Sequence, residues 1–158
     1  MTGVLGWDAL QGNEAAAGAL RHMAESGRMP HALLFAGPRG VGKFLAARIF
    51  AAALLCGGQA RPCGVCPSCR AAAAGAHPDW SVVQPDGQAI KIEQVRALQG
   101  VLATAPVLAK RRVALFDDAE KLTLEAANSL LKLLEEPVGE TVFLLVSGSR
   151  QDVYKRQQ

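Results

Sequence analysis

Apolar residues fall along this chain in two rhythms, and each predicts a kind of element. Short unbroken apolar runs mark buried strands. His31-Ala32-Leu33-Leu34-Phe35-Ala36 is the first and stops at Gly37. Trp80-Ser81-Val82-Val83, Val113-Ala114-Leu115-Phe116 and Thr141 to Val146 are the others. Between them, apolar positions three and four apart predict helices. Gly12 to Gly27 carries Leu20 and Met23 and ends on glycine, and Lys43 to Leu55 follows the first strand. Gly57 to Pro67 reads as loop, and Ala71 to Ala74 as a helical turn ended by Gly75 and Pro78. Lys91 to Ala105 places Ile92, Val95, Leu98 and Leu102 on one face and stops at Pro106. Leu124 to Glu136 puts Leu124, Ala127, Leu131 and Leu134 on one face, with Glu125, Asn128, Lys132 and Glu135 opposite, and stops at Pro137. Strands alternating with helices predict an α/β fold, a parallel sheet flanked by helices on both faces.

Composition changes this picture little. The chain has 158 residues, half of them hydrophobic, which suits one domain with a small insertion. Net charge is +3, without the basic stripe of a dedicated nucleic-acid binder. The apolar segment Leu45 to Leu55 is interrupted by Arg48 and too short to span a membrane, and the first residues lack a signal-peptide pattern. A cytoplasmic protein with no membrane association is expected, in which four cysteines point to metal rather than disulfides. Residues 151–158 stand apart. Asp152-Val153-Tyr154-Lys155-Arg156-Gln157 can be encoded by an end sequence used in transposase-based sequencing, so a non-native tail is expected there.

Three constellations carry chemistry. Gly37-Pro38-Arg39-Gly40-Val41-Gly42-Lys43-Phe44 follows a strand, opens a helix and matches the phosphate-binding loop except at its last position. Glycines let successive N–H groups point at one anion, and Lys43 adds charge at the outer phosphates of ATP. Phe44 stands where a hydroxyl would hold magnesium, so weakened magnesium binding is expected. Asp117 closes the third strand, where such a carboxylate supports the metal ion. Asp118, next to it, is a weak catalytic candidate. It is shorter than the glutamate that activates water in many ATPases, and misplacement by about 1 Å can cost about a hundredfold. The plain alternative is an acidic cap of the turn Ala119-Glu120-Lys121 that follows.

Cys56, Cys63, Cys66 and Cys69 make the third constellation. The Cys-x2-Cys-x2-Cys run groups three thiolates, and Cys56 can complete a tetrahedron around structural zinc. His77 is a reserve ligand, an iron–sulfur cluster is the rival, and four free thiols remain the plain alternative. Lone His22 and His31 read as packed or solvated, Trp7 and Trp80 as packing residues, and Lys110-Arg111-Arg112 as a solvated turn.

Together these segments resemble bacterial clamp-loader subunits of the AAA+ class. The resemblance rests on His31 to Phe35, the four-cysteine insertion, His77-Pro78-Asp79, Lys91-Ile92-Glu93-Gln94-Val95-Arg96 and the block Asn128 to Pro137. It spans about Leu5 to Gly148 and implies one AAA+ domain over 1–150, with a zinc module inserted at about 56–70. Two subunit types share this layout: gamma/tau, the ATP-driven motor, and delta-prime, the stator. The segment Ile90 to Arg96 is more similar to delta-prime, and Phe44 agrees with that type's decayed nucleotide loops. The resemblance implies a DNA polymerase III accessory subunit with weak or no ATPase, acting in DNA replication. Its implied partners are gamma/tau and delta subunits and, through the complex, the sliding clamp and primed DNA. An active motor of the gamma/tau type is the alternative; a stand-alone zinc protein that binds nucleic acid is a third reading. Ser147 falls at the family's polar sensor position, although Gly148 and Ser149 depart from the usual sequence. Ser149-Arg150-Gln151 does not match the Ser-Arg-Cys motif of the stator's arginine. A fifth strand and a lid domain are expected beyond the end of the chain.

Overall fold

The four apolar runs become β1 (Ala32–Ala36), β2 (Trp80–Val83), β3 (Arg112–Phe116) and β4 (Thr141–Ser147). All pair in parallel, in the order β1-β4-β3-β2. The computed structural model describes residues 6–10, 14–28, 30–37, 42–136 and 139–148. Five helices join the strands: α1 (Glu14–Ser26), α2 (Lys43–Leu55), α3 (Pro67–Ala73), α4 (Ile92–Leu102) and α5 (Leu124–Glu135). The start of the first predicted helix at Gly12, the stop at Pro137 and the 151–158 tail lie outside the described residues.

Alternation along the central strands sends neighbouring side chains to opposite faces. Val113, Leu115, Val142, Leu144 and Val146 pack with α1 and α2, while Ala114, Phe116, Phe143 and Leu145 pack with α4 and α5. Both faces are covered, so β3 and β4 are buried along their whole length. Each large side chain buried there is worth about 1.5–3 kcal/mol. Helix α2 lies deepest. Every residue from Ala47 to Leu55 is buried, and Ala47, Ala51 and Ala53 are wholly enclosed, so the helix approaches its neighbours closely.

Four expectations shift. Helix α3 begins at Pro67 rather than near Ala71, because Cys66 caps it and proline suits the first turn. Helix α4 ends at Leu102, not Ala105. The Thr104 hydroxyl donates to the Val101 carbonyl, and the Arg112 guanidinium takes the carbonyls of Thr104 and Ala105. Helix α5 turns a different stripe inward: Ala126, Ala127, Leu130 and Leu133 are buried, Leu131 and Leu134 are half-buried, and Leu124 is exposed. The Thr123 side chain accepts from the Ala126 N–H and fixes where the helix begins. Lastly, the basic cluster Lys110-Arg111-Arg112 is no solvated turn throughout, since Arg112 opens β3 and is buried.

Candidate functional site: the strand ends and the cysteine knot

The carboxyl ends of parallel strands are where such sheets take ligands. Ala36 of β1 pairs with Ser147 of β4, so the strand entering the glycine loop ends beside the predicted sensor. Gly37 and Gly42 flank the loop, while Gly40 and Val41 lie outside the described residues. Gly42 adopts φ 77°, a left-handed conformation that glycine holds without strain, and hands the chain to α2. The free N–H groups of that helix end therefore face the loop. Lys43 Nζ donates to the Gly37 carbonyl across the loop's mouth.

Phe44 gives this end no oxygen. Its half-buried ring packs on the α2 side of the core, with the Arg48 guanidinium 5.9 Å from its centroid. Arg48 is only 9 % exposed and lies at the same distance from the Trp80 ring, tying the first turn of α2 to β2 by cation–π contact. Trp80 is thus a packing residue whose buried Nε1 has no hydrogen-bond partner among the described residues. Trp7 also packs, and its Nε1 donates to the Arg61 carbonyl at 2.8 Å. His31 is exposed and its Nε2 meets the Leu134 carbonyl at 2.8 Å.

Asp117 sits at the end of β3, and burial raises its carboxyl pKa, helped by the charges of Asp118 and Glu120 and opposed by Lys43. These groups therefore share one electrostatic neighbourhood. Asp118 has φ 51°, a left-handed turn, and its N–H donates to Asp117 Oδ1 at 3.0 Å. Its side chain caps nothing, so the reading as an acidic cap is not realised. Ser147 is fully buried, and its Oγ donates to Glu120 Oε2 at 3.3 Å. Glu120 could not be singled out beforehand, because a contact across 27 positions leaves no local pattern.

The second site is the cysteine knot. The Sγ atoms of Cys56, Cys63, Cys66 and Cys69 all lie within 4.8 Å of one another, and none forms a disulfide. The pairs Cys63–Cys69 and Cys56–Cys66 are each 3.9 Å apart. A tetrahedral ion with metal–sulfur bonds of about 2.3 Å requires sulfurs about 3.8 Å apart, so the donor set fits such an ion. Backbone N–H groups of Gly58 and Cys63 reach Cys56 Sγ at 3.2 and 3.3 Å, and that of Cys66 reaches Cys63 Sγ at 3.2 Å. Burial pushes the Cys66 thiol up, but N–H groups of Cys69 and Gly57 outweigh it and bring it to about 6. Burial pushes Cys69 up to about 12. Cys66 thus enters neutral solution as a ready thiolate ligand. A Cβ on Gly58 would stand 3.1 Å from both Cβ and Sγ of Cys63, so a side chain there would push Cys63 aside by a few tenths of an ångström.

His77 is not part of this knot. Its Nδ1 accepts from the Asp79 N–H at 3.0 Å, which leaves Nε2–H to donate to Ser68 Oγ at 3.1 Å. It is a neutral structural imidazole joining α3 to β2. Asp79 beside it is wholly buried and accepts from the N–H groups of Val107, Leu108 and Ala109 at 2.6–2.7 Å. Burial works against its charge, yet these bonds hold its carboxyl below the usual range. Arg112 Nη1 lies 3.5 Å from Asp79 Oδ1.

Strand order and crossover helices define a parallel α/β module whose first strand leads into a phosphate-loop sequence. A DNA polymerase III gamma subunit-related protein from Thermotoga maritima has the same fold, with TM-score 0.56 and 20% identity over 87% of this chain and 43% of that one. A family model described as DNA polymerase III, delta subunit matches residues 12–155, and the chain belongs to that family. It is 46% identical to DNA polymerase III subunit delta' of Pseudomonas aeruginosa over 74% of this chain and 37% of the relative. It is 37% identical to DNA polymerase III subunit gamma/tau of Mycobacterium bovis over 90% of this chain and 25% of the relative. The chain thus spans well under half the length of these relatives. Among the described residues no helix is long and apolar enough to cross a membrane.

Proposed function

We propose that this chain is the AAA+ module of a delta-prime clamp-loader subunit, acting as a stator in the cytoplasmic complex that loads the sliding clamp on primed DNA. Residues 1–150 form the module, with a zinc knot at about 56–70. Phe44 carries the reading: it replaces the magnesium-holding hydroxyl, and its ring is engaged with Arg48 and the core. Gly37, Gly40, Val41, Gly42 and Lys43 would cradle phosphates, with Asp117 and Ser147 at the strand ends. Zinc would bind Cys56, Cys63, Cys66 and Cys69 and supply rigidity rather than chemistry. Gamma/tau, delta, the clamp and DNA are the partners this role requires.

ATP hydrolysis by the full-length protein tests the reading. Turnover near background is expected in wild type, and Phe44→Thr should tighten magnesium–nucleotide binding. Robust magnesium-dependent turnover abolished by Lys43→Ala would instead identify a motor. The retained Lys43 and Asp117, and the gamma/tau relatives, favour that second reading.

A further inference from the structure

The last residues of β4 offer two donors at the mouth of the glycine loop: the Ser147 hydroxyl and the Gly148 N–H. Both are already taken by one carboxylate. Glu120 Oε2 accepts from Ser147 Oγ at 3.3 Å and from Gly148 N at 3.1 Å, and Oε1 accepts from Gly148 N at 3.3 Å. Ser147 is in register with Ala36, one residue before Gly37 opens the loop. Glu120 and Lys43 both act on the Asp117 carboxylate, with opposite sign, so all three charges lie near the same strand end. A carboxylate and a phosphate are both oxyanions and compete for the same donors.

Resting on the phosphate-loop reading above, we propose that Glu120 is a built-in anion at the terminal-phosphate position, so that this site takes a nucleoside diphosphate in preference to a triphosphate. Lys43 and the free N–H groups at the amino end of α2 would hold the inner phosphates in either case. A third phosphate must displace Glu120 from both donors, or sit as a like charge beside this half-buried carboxylate. Each outcome weakens the triphosphate complex and leaves the diphosphate complex untouched. Loss of charge-assisted hydrogen bonds of this kind corresponds to a ratio of about tenfold to a hundredfold.

Fluorescent-labelled ADP and ATP, titrated with magnesium into the full-length protein, test this. Wild type should bind the ADP probe at least tenfold more tightly. Glu120→Ala should tighten the ATP probe by about tenfold or more and shift the ADP probe less than about twofold. Glu120→Gln, which keeps the shape and loses the charge, should move ATP the same way and guards against a folding defect in the alanine variant. Equal binding of both probes by wild type, or equal shifts of both probes in the variants, would overturn the assignment of Glu120. In that case Lys43-dependent ADP binding would leave the phosphate-loop reading standing. Binding of neither probe to any of the proteins would bring down the phosphate-loop reading, and the Glu120 proposal with it.

Discussion

Asp79 and Arg112 are buried charges that many backbone groups depend on. Together they satisfy three backbone N–H groups and the carbonyls of Pro78, Thr104 and Ala105. Asp79→Ala leaves a buried guanidinium without its counter-charge and should cost about 3–5 kcal/mol, read as a lower urea midpoint. His77 adds a pH dependence. Burial lowers its pKa, with the Asp79 charge opposing. The unfolded chain therefore binds the proton first, and stability falls as pH drops below the ordinary histidine value of 6.5. The Asp79 contribution, from a depressed carboxyl, persists above its ordinary 3.8 and is lost below it. Asp117 has the opposite sign, since its raised pKa makes protonation on acidification favour the fold. His77→Gln should flatten the stability profile as pH falls below 6.5 while leaving the loss below 3.8 that Asp79 causes. Thermal midpoints across that range give the answer.

Helices and strands differ in how much of them was legible. Strands β1 to β4 and helix α2 stood out because unbroken apolar runs end on glycine, aspartate or charged turns. Helix α5 was legible as a helix but not as a face. Its leucines at 130, 131, 133 and 134 offer two adjacent stripes, and only the packing partners choose between them. Leu130→Ala should accordingly cost about 2–5 kcal/mol, whereas Leu131→Ala should cost clearly less, a contrast measurable by denaturant titration. The end of α4 was hidden because Arg112, eight residues beyond Thr104, draws its final carbonyls away. At the site, the cysteine spacing and the glycine loop were legible as motifs. Glu120, Arg48 and the Asp79–Arg112 pair were not, since each acquires its role from a contact distant in sequence.

At the scale of the whole molecule, one helix connects the two candidate sites. The amino end of α2 carries Gly42 and Lys43, and its carboxyl end is capped by Cys56, the first thiol of the knot. Its middle is Ala-rich and wholly enclosed, so its distance from the sheet is set by how small those side chains are. Ala51→Leu should therefore destabilise the protein by about 1–3 kcal/mol. The same substitution should also weaken metal retention against a chelator, measured as released zinc. An axle seated this tightly has no slack at either hub. A methyl group too many in its middle is felt where thiols converge and where an anion would rest, though neither place has been touched.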